Sequence, residues 1–157
     1  MFKRILFPTD FSDPSMKVLD YIPALRGAGT KEVVLVHVID RKDVALVASG
    51  GRGFLGTVPD QETETQRRLR EEIQHKVIDI RRALEKQGVE VIVRVPIGSP
   101  GKEIVNTADA EGVSLIVIGS HGRSDIRERL LGTVSEYVIK NAHQPVLVIK
   151  RDVAAQK

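Results

Sequence analysis

The chain has 157 residues, enough for one domain with one sizeable core and short for two. Its 24 Lys and Arg against 21 Asp and Glu leave a scattered net charge of +3, and only 4% of residues are aromatic, so neither the basic tail nor the stacking platforms of a nucleic-acid binder are present. With no cysteine, disulfide scaffolds and thiolate metal sites are excluded, and a reducing cytoplasm is the expected location.

The opening MFKRILFPTD sets few apolar residues between two cations and Pro8, too short for a signal-peptide core. No apolar run approaches the roughly 20 residues of a membrane-spanning helix, so no membrane is expected. ILF at 5–7 predicts the first strand, and a helix follows Ser12 or Asp13 in which Pro23, lacking an N–H, predicts a kink. VVLVHVI at 33–39 predicts the second strand. Residues 40–60 then form one long irregular connection containing GRGFLG at 51–56, a letter-for-letter match to the dinucleotide pattern G-x-G-x-x-G. It neither follows the first strand nor opens a helix, so a glycine-rich surface loop is the expectation. From about 61 to 87, Leu69, Ile73, Val77, Ile80 and Leu84 recur at spacings of 4, 4, 3 and 4, a helical stripe stopped by Gly88. VEVIVRV at 89–95 predicts the third strand, followed by a helix with Ser99 as cap, Pro100 at its first position and Gly112 past its end. LIVI at 115–118 is the fourth strand, a helix follows Thr133, and PVLVI at 145–149 is the fifth.

Near-continuous Val, Ile and Leu runs alternating with amphipathic helices predict an α/β fold. We expect a doubly wound five-stranded parallel sheet, strand order 3-2-1-4-5, with helices on both faces, formed by residues 1–157 as a single domain. Ligands of such sheets bind beyond the carboxyl ends of the strands, where the strand order reverses. That crevice lies between Pro8-Thr9-Asp10, after the first strand, and Gly119 onwards, after the fourth.

Between the fourth strand and the helix after Thr133 runs GSHGRSDIRERLLGT, with Gly119, Gly122 and Gly132 spaced as G-x2-G-x9-G-T. Backbone N–H groups and the positive end of a helix dipole converge there, and glycines let the backbone approach an anion closely. No Walker lysine accompanies them. Several residues read two ways. Thr133 begins a T-x-x-E capping box with Glu136, so its hydroxyl serves either the helix or a phosphate. Asp10 either meets a ligand or holds a turn or helix cap. His121 is a phosphate contact, a proton carrier or a solvent-facing loop residue. Arg123, Arg127 and Arg129 stand ready to screen phosphate charge, but Asp125 and Glu128 alternate with them. His37, inside an apolar strand, reads as a satisfied core residue. No spacing of His, Asp and Glu suggests a metal cage made by protein alone.

The pattern G-x2-G-x9-G-[ST], with the opening KRILFPTDFS and the close QPVLVIK, resembles the ATP-binding branch of the universal stress protein family. The resemblance runs over nearly the whole chain and is weakest in the 40–60 loop and across the long helix. It implies ATP in the crevice, with Asp10 at the ribose or base, Val38 offering backbone to adenine, and Gly119, Gly122, Gly132, Thr133 and Val134 around ribose and phosphates. Pro8, Thr9, Ile118, His121 and Arg123 complete the implied nucleotide-binding set, and Mg or Mn is implied on the phosphates.

The expected function is an ATP-binding regulatory, stress-response module in which nucleotide orders the 122–132 loop and so changes a surface offered to a protein partner. The alternative is a slow or partner-dependent ATP-hydrolysing or phosphotransfer enzyme using the same pocket, for which only Asp10 and His121 stand as candidate groups. A phospho-accepting receiver domain would need an acid after the third strand, where Val95-Pro96-Ile97-Gly98 supplies none. The fifth strand, apolar and at the sheet edge, predicts a homodimer.

Overall fold

The computed structural model describes residues 1–43, 64–121 and 131–150. GRGFLG, together with Gly122, Arg123, Arg127 and Arg129, lies outside them. Strand β1 (Arg4–Pro8) leads into α1 (Asp13–Met16), a 3₁₀ turn (Lys17–Tyr21) and α2 (Ile22–Gly27). Then come β2 (Glu32–Val36), β3 (Ile39–Asp40), α3 (Glu64–Lys86), β4 (Glu90–Arg94), β5 (Ile97–Gly98), α4 (Pro100–Ala110), β6 (Leu115–Gly119), α5 (Thr133–Asn141) and β7 (Val146–Ile149).

The main sheet is five-stranded and parallel throughout, in the order β4-β2-β1-β6-β7. This is the expected 3-2-1-4-5 order once the two-residue strands are set aside. Strand parity sorts the core into two layers. Ile5, Phe7, Val33, Leu35, Leu115 and Val117 point to the face covered by α2 and α3, where Ile73, Val77, Ile80 and Leu84 supply the helical stripe. Leu6, Val34, Val36, Ile116 and Ile118 point to the other face, against Ile104, Val105 and Ala108 of α4 and Val138 of α5. Both faces of the central strands are therefore buried, which is why their sequences lack polar alternation.

Three local features differ from expectation. Instead of one kinked helix, the chain after Ser12 breaks into α1, a 3₁₀ turn and α2, and Pro23 sits in the first turn of α2, where its missing N–H costs nothing. Second, the apolar run at 33–39 is not one strand: β2 ends at Val36, and β3 pairs with β5 in a separate two-stranded ribbon, Ile39 opposite Ile97. Pro96 lies between β4 and β5 and has no N–H for the ladder, so regular pairing stops there, although its carbonyl accepts from Ile39 N–H (2.9 Å). Third, Ser99 does occupy the N-cap of α4, but its side chain makes no capping bond. At the other end of α4, Gly112 takes φ +58, and the N–H groups of Gly112 and Val113 return to the carbonyls of Asp109 and Ala108 (both 3.2 Å), a Schellman close.

Among the described residues no helix is long and apolar enough to cross a membrane.

Candidate functional site

Strands β1 and β6 are neighbours, yet the chain leaves them toward opposite faces of the sheet, and a cleft of about 820 Å³ opens beyond their carboxyl ends. That is the size range of small-molecule sites. All of the expected site residues that are described line it: Pro8, Thr9 and Asp10 after β1, Val38 after β2, Ile118, Gly119 and His121 at β6, and Gly132, Thr133 and Val134 at α5.

The turn after β1 is held from within. The Thr9 hydroxyl is buried, lies 2.9 Å from the Ser15 hydroxyl and accepts the Phe11 N–H (3.0 Å), so it is a structural group of the turn. Asp10 Oδ1 accepts from Ser12 N–H (3.0 Å) and the Ser12 hydroxyl (2.5 Å), an Asx turn. The N-cap of α1 is Ser12, so Asp10 holds a turn and does not cap the helix. This geometry drives Phe11 into the left-handed region at φ 65. Such backbone in a non-glycine residue persists only where its surroundings enforce it. Here the Phe11 ring stacks on His37, centroids 4.3 Å apart, while Lys76 Nζ stands 5.5 Å over it. His37 is buried, and its Nδ1 faces the Thr9 carbonyl at 2.9 Å, so that nitrogen carries the proton and donates. It is the satisfied residue expected, and it also lines the cleft.

Across the cleft, the two ends of the nine-residue loop are tied together. Gly132 N–H donates to the Ser120 carbonyl (2.7 Å), and the Ser135 hydroxyl donates to the Gly119 carbonyl (2.7 Å). The Gly132 amide is thus used internally. Gly119 is explained by packing: a Cβ there would stand 2.8 Å from the Pro14 carbonyl oxygen. His121 Nδ1 lies 3.0 Å from the Ser120 hydroxyl.

The capping box at Thr133 is not formed. Gly132 is the N-cap of α5, no side chain caps that end, Thr133 is the first helical residue, and Glu136 pairs with Lys140 (2.7 Å). The register is one residue off for a T-x-x-E box, which needs its threonine outside the helix. The start of α5 therefore faces the cleft with its first N–H groups uncapped by side chains, a natural seat for an anion.

Phe11 and the α3 side chains Leu69, Glu72, Ile73 and Lys76 were not expected at the site, yet they form its far wall, with Lys76 Nζ bonded to Glu72 (2.8 Å). Among the described residues no three His, Asp or Glu side chains are grouped to hold a metal ion.

Fold and cleft together define a doubly wound α/β protein whose cleft opens at the topological switch point. A sequence profile of the Universal stress protein family matches residues 1–150. The chain belongs to that family. Universal stress protein MJ0577 of Methanocaldococcus jannaschii is 40% identical over 156 residues, 96% of each chain. The solved structure of MJ0577 superposes with a TM-score of 0.83 at 37% identity, covering 98% of this chain and 99% of that one. Universal stress protein YxiE of Bacillus subtilis is 33% identical over 155 residues, 96% of this chain and 100% of that one. A universal stress protein from Archaeoglobus fulgidus, solved in complex with dAMP, has the same fold at a TM-score of 0.62 and 24% identity, covering 96% and 98% of the two chains.

Proposed function

We propose that this chain is a single-domain, cytoplasmic ATP-binding regulatory module of the stress response. The observation that carries it is the uncapped start of α5, with Thr133 and Val134 on the wall of a cleft at the switch point. Asp10 on the opposite wall offers a carboxylate to ribose or base, and Val38 offers backbone to adenine. That the Archaeoglobus fulgidus protein of the same fold was solved in complex with dAMP supports an adenine nucleotide as the ligand class. The phosphates would bring Mg or Mn with them.

Binding is favoured over turnover because both candidate proton acceptors are engaged locally, Asp10 Oδ1 with Ser12 and His121 Nδ1 beside Ser120. Bound nucleotide would order residues 122–132 and present them to a protein partner. The protein would act as a homodimer through β7, the sheet edge.

The test is calorimetric titration of the stripped protein with Mg-ATP, alongside chromatography of what denaturation releases from protein purified without added ligand. Adenine nucleotide in the released fraction and a binding isotherm are expected. No heat of binding at millimolar Mg-ATP would remove the assignment.

A further inference from the structure

In the order β4-β2-β1-β6-β7, β1 stands between β2, which leads to Val38, and β6, beyond which α5 begins. Neighbouring strands lie about 5 Å apart, so the ends of β2 and β6 are separated by about 10 Å. A nucleotide with its base at Val38 and its phosphates at the start of α5 therefore carries its ribose across the end of β1, where Asp10 lines the cleft. Both flanks of Asp10 are fixed by His37, which holds the Thr9 carbonyl (2.9 Å) on one side and stacks on the Phe11 ring (4.3 Å) on the other. What is left to set is the orientation of the carboxylate itself. Ser12 sets it, because its N–H (3.0 Å) and its hydroxyl (2.5 Å) both donate to Asp10 Oδ1. The N–H bond alone closes the Asx turn, so the hydroxyl is surplus to the turn. It is also withheld from the task its position invites: Ser12 is the N-cap of α1, where a serine side chain ordinarily accepts a helix N–H, yet it makes no capping bond. Its length instead falls in the range of a charge-assisted O–H···O⁻ bond, the stronger kind.

We propose that Ser12 is a positioning residue of this site, its hydroxyl holding the Asp10 carboxylate in the orientation that accepts hydrogen bonds from ribose hydroxyls. The preferred ligands are then ribonucleotides over nucleotides that lack those hydroxyls. This rests on the nucleotide reading of the cleft, which places base and phosphates at its two ends. Ser12 acts on the ligand only through Asp10, so its contribution disappears when the carboxylate is removed. A hydrogen bond to a charged group corresponds to about tenfold in affinity, and that is the size of effect at stake.

The experiment is calorimetry at fixed Mg²⁺ with ATP and 2′,3′-dideoxy-ATP, on the intact chain, Ser12→Ala, Ser12→Thr, Asp10→Ala and Asp10→Ala/Ser12→Ala. Ser12→Ala removes one hydroxyl and keeps the backbone bonds of the turn, including the Ser12 carbonyl that accepts from Met16 N–H (3.0 Å) and the Ser15 hydroxyl (2.9 Å), so the fold should survive, and melting curves check that. Expected is an intact chain that prefers ATP to the dideoxy analogue by about tenfold or more. Ser12→Ala should lose most of that preference by weakening ATP alone, Ser12→Thr should keep it, and Ser12→Ala should change nothing further once Asp10 is alanine. A merely structural role for the hydroxyl weakens both nucleotides equally, and that result overturns the proposal. So does a preference that survives in Ser12→Ala, or an equal cost of Ser12→Ala with and without the Asp10 carboxylate. An intact chain that binds ATP and its dideoxy analogue alike overturns it without recourse to any variant. If the intact chain binds no ATP, the nucleotide reading falls and this proposal with it, whereas ATP binding with any of the other adverse results removes Ser12 alone.

Discussion

Thr133 opens α5 as its first helical residue, behind the cap Gly132, and that placement separates two roles its sequence context leaves open. A lost cap would cost about 1 kcal/mol of folding stability with or without ligand. Since Thr133 is not the cap, Thr133→Ala should leave the stripped protein's melting temperature nearly unchanged. It should weaken Mg-ATP by about 1.5–3 kcal/mol, the value of a hydroxyl bond to a charged group, and leave AMP almost untouched. Calorimetry for ATP and AMP, with thermal unfolding of both proteins, checks this; an unchanged ATP affinity takes Thr133 out of the site. Phe11 supplies a second residue-scale test. At φ 65 an alanine carries the same backbone strain as phenylalanine, whereas a glycine carries none, and both lose the stack on His37. Phe11→Gly should therefore be more stable to urea than Phe11→Ala by about 1 kcal/mol, reversing the usual order of the two residues. Equal stabilities, or alanine ahead, would mean that the turn relaxes out of the left-handed region. The place of Asp10 and Gly119 on the cleft wall was legible in the sequence, because strand ends at a switch point are where such sheets bind ligands. What they do locally was not. That the Gly119 hydrogen faces the Pro14 carbonyl depends on how α1 docks, which no local pattern encodes.

At the scale of elements, β7 states which of its groups are unsatisfied. Pro145 and Ile149 accept from Ile116 and Ser120 of the β6 side, so by strand alternation Val146 and Val148 turn their backbone groups to the open edge. Leu147 is 38% exposed beside them. Val148→Pro thus removes an outward N–H while sparing the ladder to β6. It should lower dimer affinity without unfolding the chain, read by sedimentation across micromolar concentrations together with a melting curve. A native-like monomer in the unsubstituted protein would dispose of the dimer. The strands were readable because β1, β2 and β6 are buried on both faces and consist of little but branched aliphatic residues. Their ends were less so. A proline one strand away interrupts the run at 33–39, and pairing partners are a tertiary fact. Likewise the spacing on α3 marks a helical stripe, and Ile73, Val77, Ile80 and Leu84 of it pack in the core. Yet Leu69, Ile73 and Lys76, on the same helix, reach the cleft, and helical spacing does not distinguish the turn that covers a sheet from the turn that overhangs its end.

For the whole molecule, the contact between Gly119 and the Pro14 carbonyl limits how a ligand of the proposed kind would enter and leave the cleft. One jaw of the cleft is the turn after β1 and the other is the end of β6. These two are pressed together through α1, adjacent in the sheet and roofed by a buried aliphatic layer, and the Ser135 hydroxyl bolts the start of α5 to the same carbonyl end of β6. An interior packed at that density does not open by parting its central strands. Traffic into and out of the cleft must then pass along its periphery, and the rate of departure is set by whatever segment closes that periphery, independently of how firmly the central strands hold one another. Two relatives with the same grip on a ligand could in this way keep it for very different times.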